Sequence, residues 1–253
     1  MHAELWGGGA SMRIAVFGIE LLLAALLVTW MRSSLRGHTE PLRFMVPLFV
    51  YGTLAAALSA FVEIRYSFRI DQAAAGSEFW LQVLNSGSAS LIEELAKYLV
   101  ALIAILNAGH FQRLSTAITY LIIIGLGFSL VEDLIFLMNP DTVPIYRLMS
   151  FLVHSGTSAI IGYSLGRYRF GLARYRGLLL AISAAVLLHF AYNLAVALPN
   201  YQVSLYVTLA LIAFISSRIF VLFHRTIREE MMLERSIFKK GEGTRLLNLK
   251  HNK

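Results

Sequence analysis

Apolar stretches of roughly 20 residues recur along this chain, each long enough to cross the hydrocarbon core of a bilayer as a helix. Seven spans are predicted, at approximately 12–31, 42–62, 84–106, 115–138, 146–166, 177–197 and 203–223. Helix-ending and charged residues divide them: Arg32 to Pro41, Asn107 to Arg113, Asn139-Pro140-Asp141, Arg167 to Arg176 and Leu198-Pro199-Asn200. Glu63 to Gln82 reads as the one sizeable connection, with Phe79 and Trp80 suited to an interface. The pattern predicts an all-α polytopic membrane protein, with a single transmembrane helical domain over 1–223. A basic amphipathic tail over 224–253 follows, of a kind that lies along a membrane surface.

Composition agrees. Hydrophobic residues make up 57% of the chain and charged residues 15%, against about 25% charged in ordinary soluble domains. The chain has no cysteine, which removes disulfides, thiol chemistry and thiolate metal ligands. In a membrane protein the net charge of +7 is better assigned to loops touching anionic lipid than to nucleic acid. The distribution of that charge sets an orientation. Connections after the first, third and fifth spans hold Arg32, Arg36, Arg43, Arg113, Arg167, Arg169, Arg174 and Arg176, and the tail adds eight more Lys and Arg. The other side has Arg13, Arg65, Arg69 and Arg147. The N-terminus is therefore expected outside and the C-terminus in the cytoplasm, in a multi-pass protein of the cytoplasmic membrane. Glu4 and Gly7-Gly8-Gly9 precede the first span with no signal-peptide pattern, so that span is expected to stay as an anchor.

Ionisable residues at membrane depth cost several kcal/mol each and persist where they are paired or do chemistry. Here they fall on four successive spans: Glu93, Glu94 and Lys97; Glu132 and Asp133; His154; and His189 with Asn193. On the predicted topology all lie about 6–15 Å below the outer boundary, at 1.5 Å of rise per helical residue. Glu93 and Lys97, four apart, share a face and are expected to pair, leaving Glu94 free. His189 and Asn193 also share a face, and Thr157 and Ser158 make the His154 side of its helix polar. Asp133 points elsewhere, towards the outer interface. Small residues beside these groups, Ser86 to Ser90, Gly156, Gly162 and Gly166, allow close helix packing. The acids outnumber the cations, so some carboxyls are protonated, the histidines are charged, or a metal ion binds.

Four ordered motifs cover about 90–195: Glu93-Glu94-x-x-Lys97, Gly127-Phe128-x-x-x-Glu132, His154-x-x-x-Ser158-Ala159 leading to Gly162-Tyr163-x-x-Gly166, and His189-x-x-x-Asn193. They resemble the PrsW family of intramembrane proteases, relatives of the CAAX-processing and bacteriocin-processing membrane proteases. One departure is Asp133, where many relatives are expected to have an amide. The resemblance implies a protease core at about 84–197 and hydrolysis of a membrane-anchored protein, such as an anti-sigma-factor-like regulator, near the outer face. Without metal, Glu94 or Glu93 takes the proton of water, His154 holds the water, and His189 and Asn193 donate to the oxyanion, with Lys97, Glu132 and Ser158 in support. With one zinc ion, His154, His189 and Glu132 are the ligands and one of the glutamate pair is the base. Two other classes are weighed against a protease: a proton-coupled transporter and a non-catalytic membrane scaffold. No inverted repeat or broken span pair favours a carrier.

Overall fold

The computed structural model describes residues 10–35, 41–73, 78–107, 113–137 and 144–251, with side chains described over 11–35, 41–65, 78–104, 113–135 and 145–235. The N-terminal glycine run, Arg36, Asn139-Pro140-Asp141 and Lys253 lie outside the described residues, as do the side chains of Arg69, Ile237, Phe238, Lys239, Lys240, Arg245 and Lys250. Seven helices follow one another: α1 (Ala10–Ser34), α2 (Leu42–Ala73), α3 (Glu78–Asn107), α4 (Leu114–Leu137), α5 (Pro144–Arg169), α6 (Tyr175–Val196) and α7 (Tyr201–His251). Among the described residues, six are long and apolar enough to cross a membrane. The seventh, α3, is 30 residues long but carries Glu93, Glu94 and Lys97 in its middle.

Two predicted boundaries moved. The connection expected over Glu63 to Gln82 is largely helical, because α2 runs to Ala73 and α3 begins at Glu78. No described residue there breaks a helix, and turns that continue keep their backbone groups hydrogen-bonded. The tail likewise continues α7 without a break, giving a helix of 51 residues. Glu229 and Glu230 dock its first charged turns onto the bundle. Glu229 accepts from Arg167 at 2.7 Å and Tyr163 at 3.0 Å. Glu230 accepts from Arg113 at 3.2 Å and from the Ser115 amide at 3.0 Å, capping the start of α4.

The hub is α4. It is apolar all round and almost wholly buried, as expected of a helix with neighbours on every side; it packs on α1, α2, α3, α5 and α7. Glycines bring its backbone against two of these neighbours. A Cβ on Gly52 would sit 2.1 Å from the Ile124 carbonyl oxygen, and one on Gly127 would sit 2.2 Å from that of Phe49. The α2–α4 contact is thus backbone on backbone, with no flexible side chain to give way. Gly127→Ala is expected to lose about 1–3 kcal/mol or more by overpacking. Gly18→Ala, where a Cβ meets nothing within 4 Å, is expected to leave stability equal or higher, since alanine is the better helix former. Melting curves of the purified variants check both, and equal melting of the two would refute the contact.

Candidate active site

The five helices α2 to α6 enclose a cleft of about 870 Å³, reached from the end of the bundle where α2, α4 and α6 finish and α3 and α5 begin. Ser59 and Glu63 line it from α2, Asn85, Ser86 and Glu93 from α3, Phe128 and Glu132 from α4, Arg147 from α5 and Asn193 from α6. The polar residues expected at one depth do meet here. The helix packing that brings them together relies on small residues, with Gly125 on Ser158 and the His154 carbonyl and Gly162 on Ile118.

The glutamate pair is divided differently from expectation. Lys97 Nζ donates to Glu94 Oε1 at 2.6 Å, three residues away, rather than to Glu93. Both spacings are open to a helical pair; distant residues decide between them. Glu94 Oε1 also accepts from Thr157 Oγ1 at 3.0 Å and from His189 Nδ1 at 2.9 Å, so three donors from α3, α5 and α6 converge on one oxygen. Glu94 and Lys97 are wholly buried, and Glu94 does not reach the cleft. Glu93 does. Its Oε2 is buried and receives no hydrogen bond among the described residues, lying 4.0 Å from His154 Nδ1 and 3.7 Å from His189 Nε2.

The hydrogen bonds fix how both imidazoles are oriented. A lysine ammonium only donates, so the 3.1 Å contact of Lys97 Nζ with His154 Nδ1 makes that nitrogen an acceptor. His154 Nε2 then carries the hydrogen and donates to Glu132 Oε2 at 2.5 Å. On His189 the hydrogen sits on Nδ1, facing Glu94. The two rings are therefore held by opposite nitrogens, and His189 Nε2 turns towards Glu93. Phe128 packs against both His154, at 5.0 Å between centroids, and Lys97, at 5.1 Å from the ring.

Other expected residues fall less centrally. Asn193 lines the cleft, and its Nδ2 donates to Ser90 Oγ at 3.1 Å. Ser158 is buried against Gly125 and makes no hydrogen bond to the site, and its neighbour Thr157 takes the supporting position. Asp133, expected to reach an interface, is wholly buried; Ser129 donates to it, and Arg147 lies 3.5 Å away. Arg147 is a residue of the cleft that the sequence did not single out for the site. It donates to Glu132 at 3.0 Å, and so stands behind the carboxylate that orients His154. Its place near a span end made it look like a topological charge. The unbalanced acids of neighbouring Glu132 and Asp133 were the signal that it was needed.

Glu93 on the cleft wall, two imidazoles held by further carboxylates and the Asn193 amide thus gather inside a bundle in which, among the described residues, six helices are long and apolar enough to span a membrane. The chain belongs to the PrsW family intramembrane metalloproteases, whose family model matches residues 40–218. It is 24% identical over 192 residues to Protease PrsW of Clostridioides difficile (strain 630), covering 72% of this chain and 79% of that one. It is 26% identical over 167 residues to Protease PrsW of Bacillus subtilis (strain 168), covering 64% and 74%. With Protease PrsW of Oceanobacillus iheyensis the identity is 25% over 179 residues, covering 70% and 79%. No solved structure matches the chain significantly. The protein is thus a multi-pass membrane protease.

The family description implies a metal, and three side chains fit one. Glu93, His154 and His189 offer ligand atoms that all lie within 4.8 Å of one another. Each imidazole is gripped on its far nitrogen by a carboxylate, Glu132 or Glu94, as metal-ligating histidines usually are. Glu132, expected as a ligand, stands behind His154, and Glu93 takes its place in the converging set. Lys97 competes for the His154 Nδ1 lone pair and keeps Glu94 as a second partner.

Proposed function

We propose that the protein cuts a membrane-anchored protein, of the class of anti-sigma-factor-like regulators, at a peptide bond entering the cleft, with Glu93 as the group that activates water. The observation that carries this reading is Glu93 Oε2, a buried acceptor with no donor among the described residues, on the cleft wall near two imidazoles. A water bound there gives its proton to Glu93, and the hydroxide adds to the scissile carbonyl. Glu93 then returns the proton to the departing amine. With its Nε2 unprotonated, His189 would share this proton rather than donate to the oxyanion. Asn193 is the neutral donor on the cleft wall suited to that role. Glu94 and Lys97 set the ring of His189, and Glu132 and Arg147 set that of His154. A divalent ion held by Glu93, His154 and His189 would polarise the carbonyl and make bound water acidic.

The cleft mouth is assigned to the outer face of the cytoplasmic membrane. Arg113, Arg167 and Arg225 lie at the other end of the bundle, with the charged turns of α7, and that is the end expected to face the cytoplasm.

The test compares N-terminal peptides of membrane proteins from cells expressing wild type or His189→Ala at equal levels. New N-termini just outside a transmembrane segment, present only with wild type, are expected and would name the substrate. Identical profiles would sink the reading. Elemental assay of the purified proteins is expected to find a divalent ion in wild type and to lose it in His189→Ala. An ion content unmoved by the substitution would remove metal from this site.

A further inference from the structure

The wall of the cleft presents a carboxylate that the hydrolytic scheme leaves unused. Glu63, on α2, lines the cleft together with Asn85 and Glu93. Each of the three has a buried side-chain oxygen that receives no hydrogen bond among the described residues: Glu63 Oε1, Asn85 Oδ1 and Glu93 Oε2. Acceptors that line one cleft and have no donor among the described residues suit a guest that brings donors. A carboxylate among them suits a cation.

Charge points the same way. Among the described residues no ion pair engages Glu63, and it shares the cleft wall with two further acids, Glu93 and Glu132. Among the described residues the one cation lining the cleft, Arg147, is held by Glu132 at 3.0 Å and lies 3.5 Å from Asp133. The cleft therefore holds more carboxyl groups than cations in a confined, partly apolar space, where an arriving cation is attracted more strongly than in open water and favours the ionised carboxylate.

Position gives the register. Ala56 packs with Ala96 and Phe128, which ties the level of α2 to that of α3. Counting turns from this contact, Glu63 lies about 6 Å nearer the mouth than Glu93. An extended peptide advances about 3.3 Å per residue, so Glu63 stands about two residues from the bond at Glu93.

We propose that Glu63 is a specificity-determining residue that makes the cleft select substrates with a lysine or arginine about two residues from the scissile bond. The proposal rests on the reading that the cleft is where peptide bonds are cut. Asn85 would accept from the same cationic group or from the neighbouring backbone amide, holding the strand along α3.

The experiment uses the full-length protein in liposomes and a pool of single-span peptides whose outer flank of ten positions is randomised, with the cut sites read by mass spectrometry. For each variant the readout is the ratio of products with Lys or Arg near the cut to those with neutral residues. Wild type is expected to favour basic residues by about tenfold, the factor that about 1.4 kcal/mol represents. The ratio should fall to about one in Glu63→Gln, persist in Glu63→Asp, and turn to favour Asp and Glu in Glu63→Lys. Cutting by wild type with no basic preference, or a preference that survives Glu63→Gln, overturns the proposal while leaving the protease reading intact. No cutting of any pool member by wild type overturns both.

Discussion

Glu93→Gln is expected to abolish cleavage, lowering turnover by about 10²–10⁴-fold, the usual contribution of a general base, while leaving the melting temperature close to wild type. The replacement keeps shape and removes basicity, charge and one of the three candidate metal ligands, and among the described residues Glu93 Oε2 has no hydrogen bond to lose. Glu94→Gln should behave differently. Glu94 Oε1 accepts from Lys97, Thr157 and His189, so neutralising it unsettles three partners and lowers stability and activity together. Single-turnover cleavage beside melting curves separates the two. If Glu93→Gln cuts at the wild-type rate, the assignment of roles within the pair is wrong, whatever Glu94→Gln does.

Lys97→Met is expected to be among the most destabilising single substitutions in the chain. The side chain is wholly buried, and its ammonium is the fixed cation beside Glu94, 2.6 Å away. Removing one member of a buried pair strands the other, at about 3–5 kcal/mol. For a chain of this size that lowers melting by on the order of 10 °C. The same change also takes the donor from His154 Nδ1. Lys97→Met combined with Glu94→Gln should recover part of the loss, because the stranded charge is then gone. Melting of the single variant at the wild-type temperature would show that the pair does not hold the bundle.

Much of this was legible in the sequence, because membrane helices announce themselves by length and apolarity. All seven elements fall where the spans were predicted, and Glu93, Glu94, Glu132, His154 and His189 meet as their shared depth required. What stayed hidden was pairing. Lys97 can reach Glu93 or Glu94 along one helix, and the choice is made by Thr157 on α5 and His189 on α6. Local spacing holds no record of residues that far away. Ser158 and Thr157 are adjacent, and only the close approach of α4 at Gly125 decides which faces the glutamates. The helical extensions of α2 and α7 were missed for another reason. Hydropathy marks where a helix leaves lipid, which need not be where it ends.

The proposed hydrolytic centre has no fragment smaller than the bundle. Its base comes from α3, the clamps on its two rings from α3 and α4, and the rings themselves from α5 and α6. A nascent chain that has inserted α3 alone presents two acids and a lysine to lipid, at a cost of about 2.5–3.5 kcal/mol for each charged side chain near the helix centre. It gains His189 only when α6 arrives. On that reading catalytic competence comes late in biogenesis, and a half-built bundle is inert.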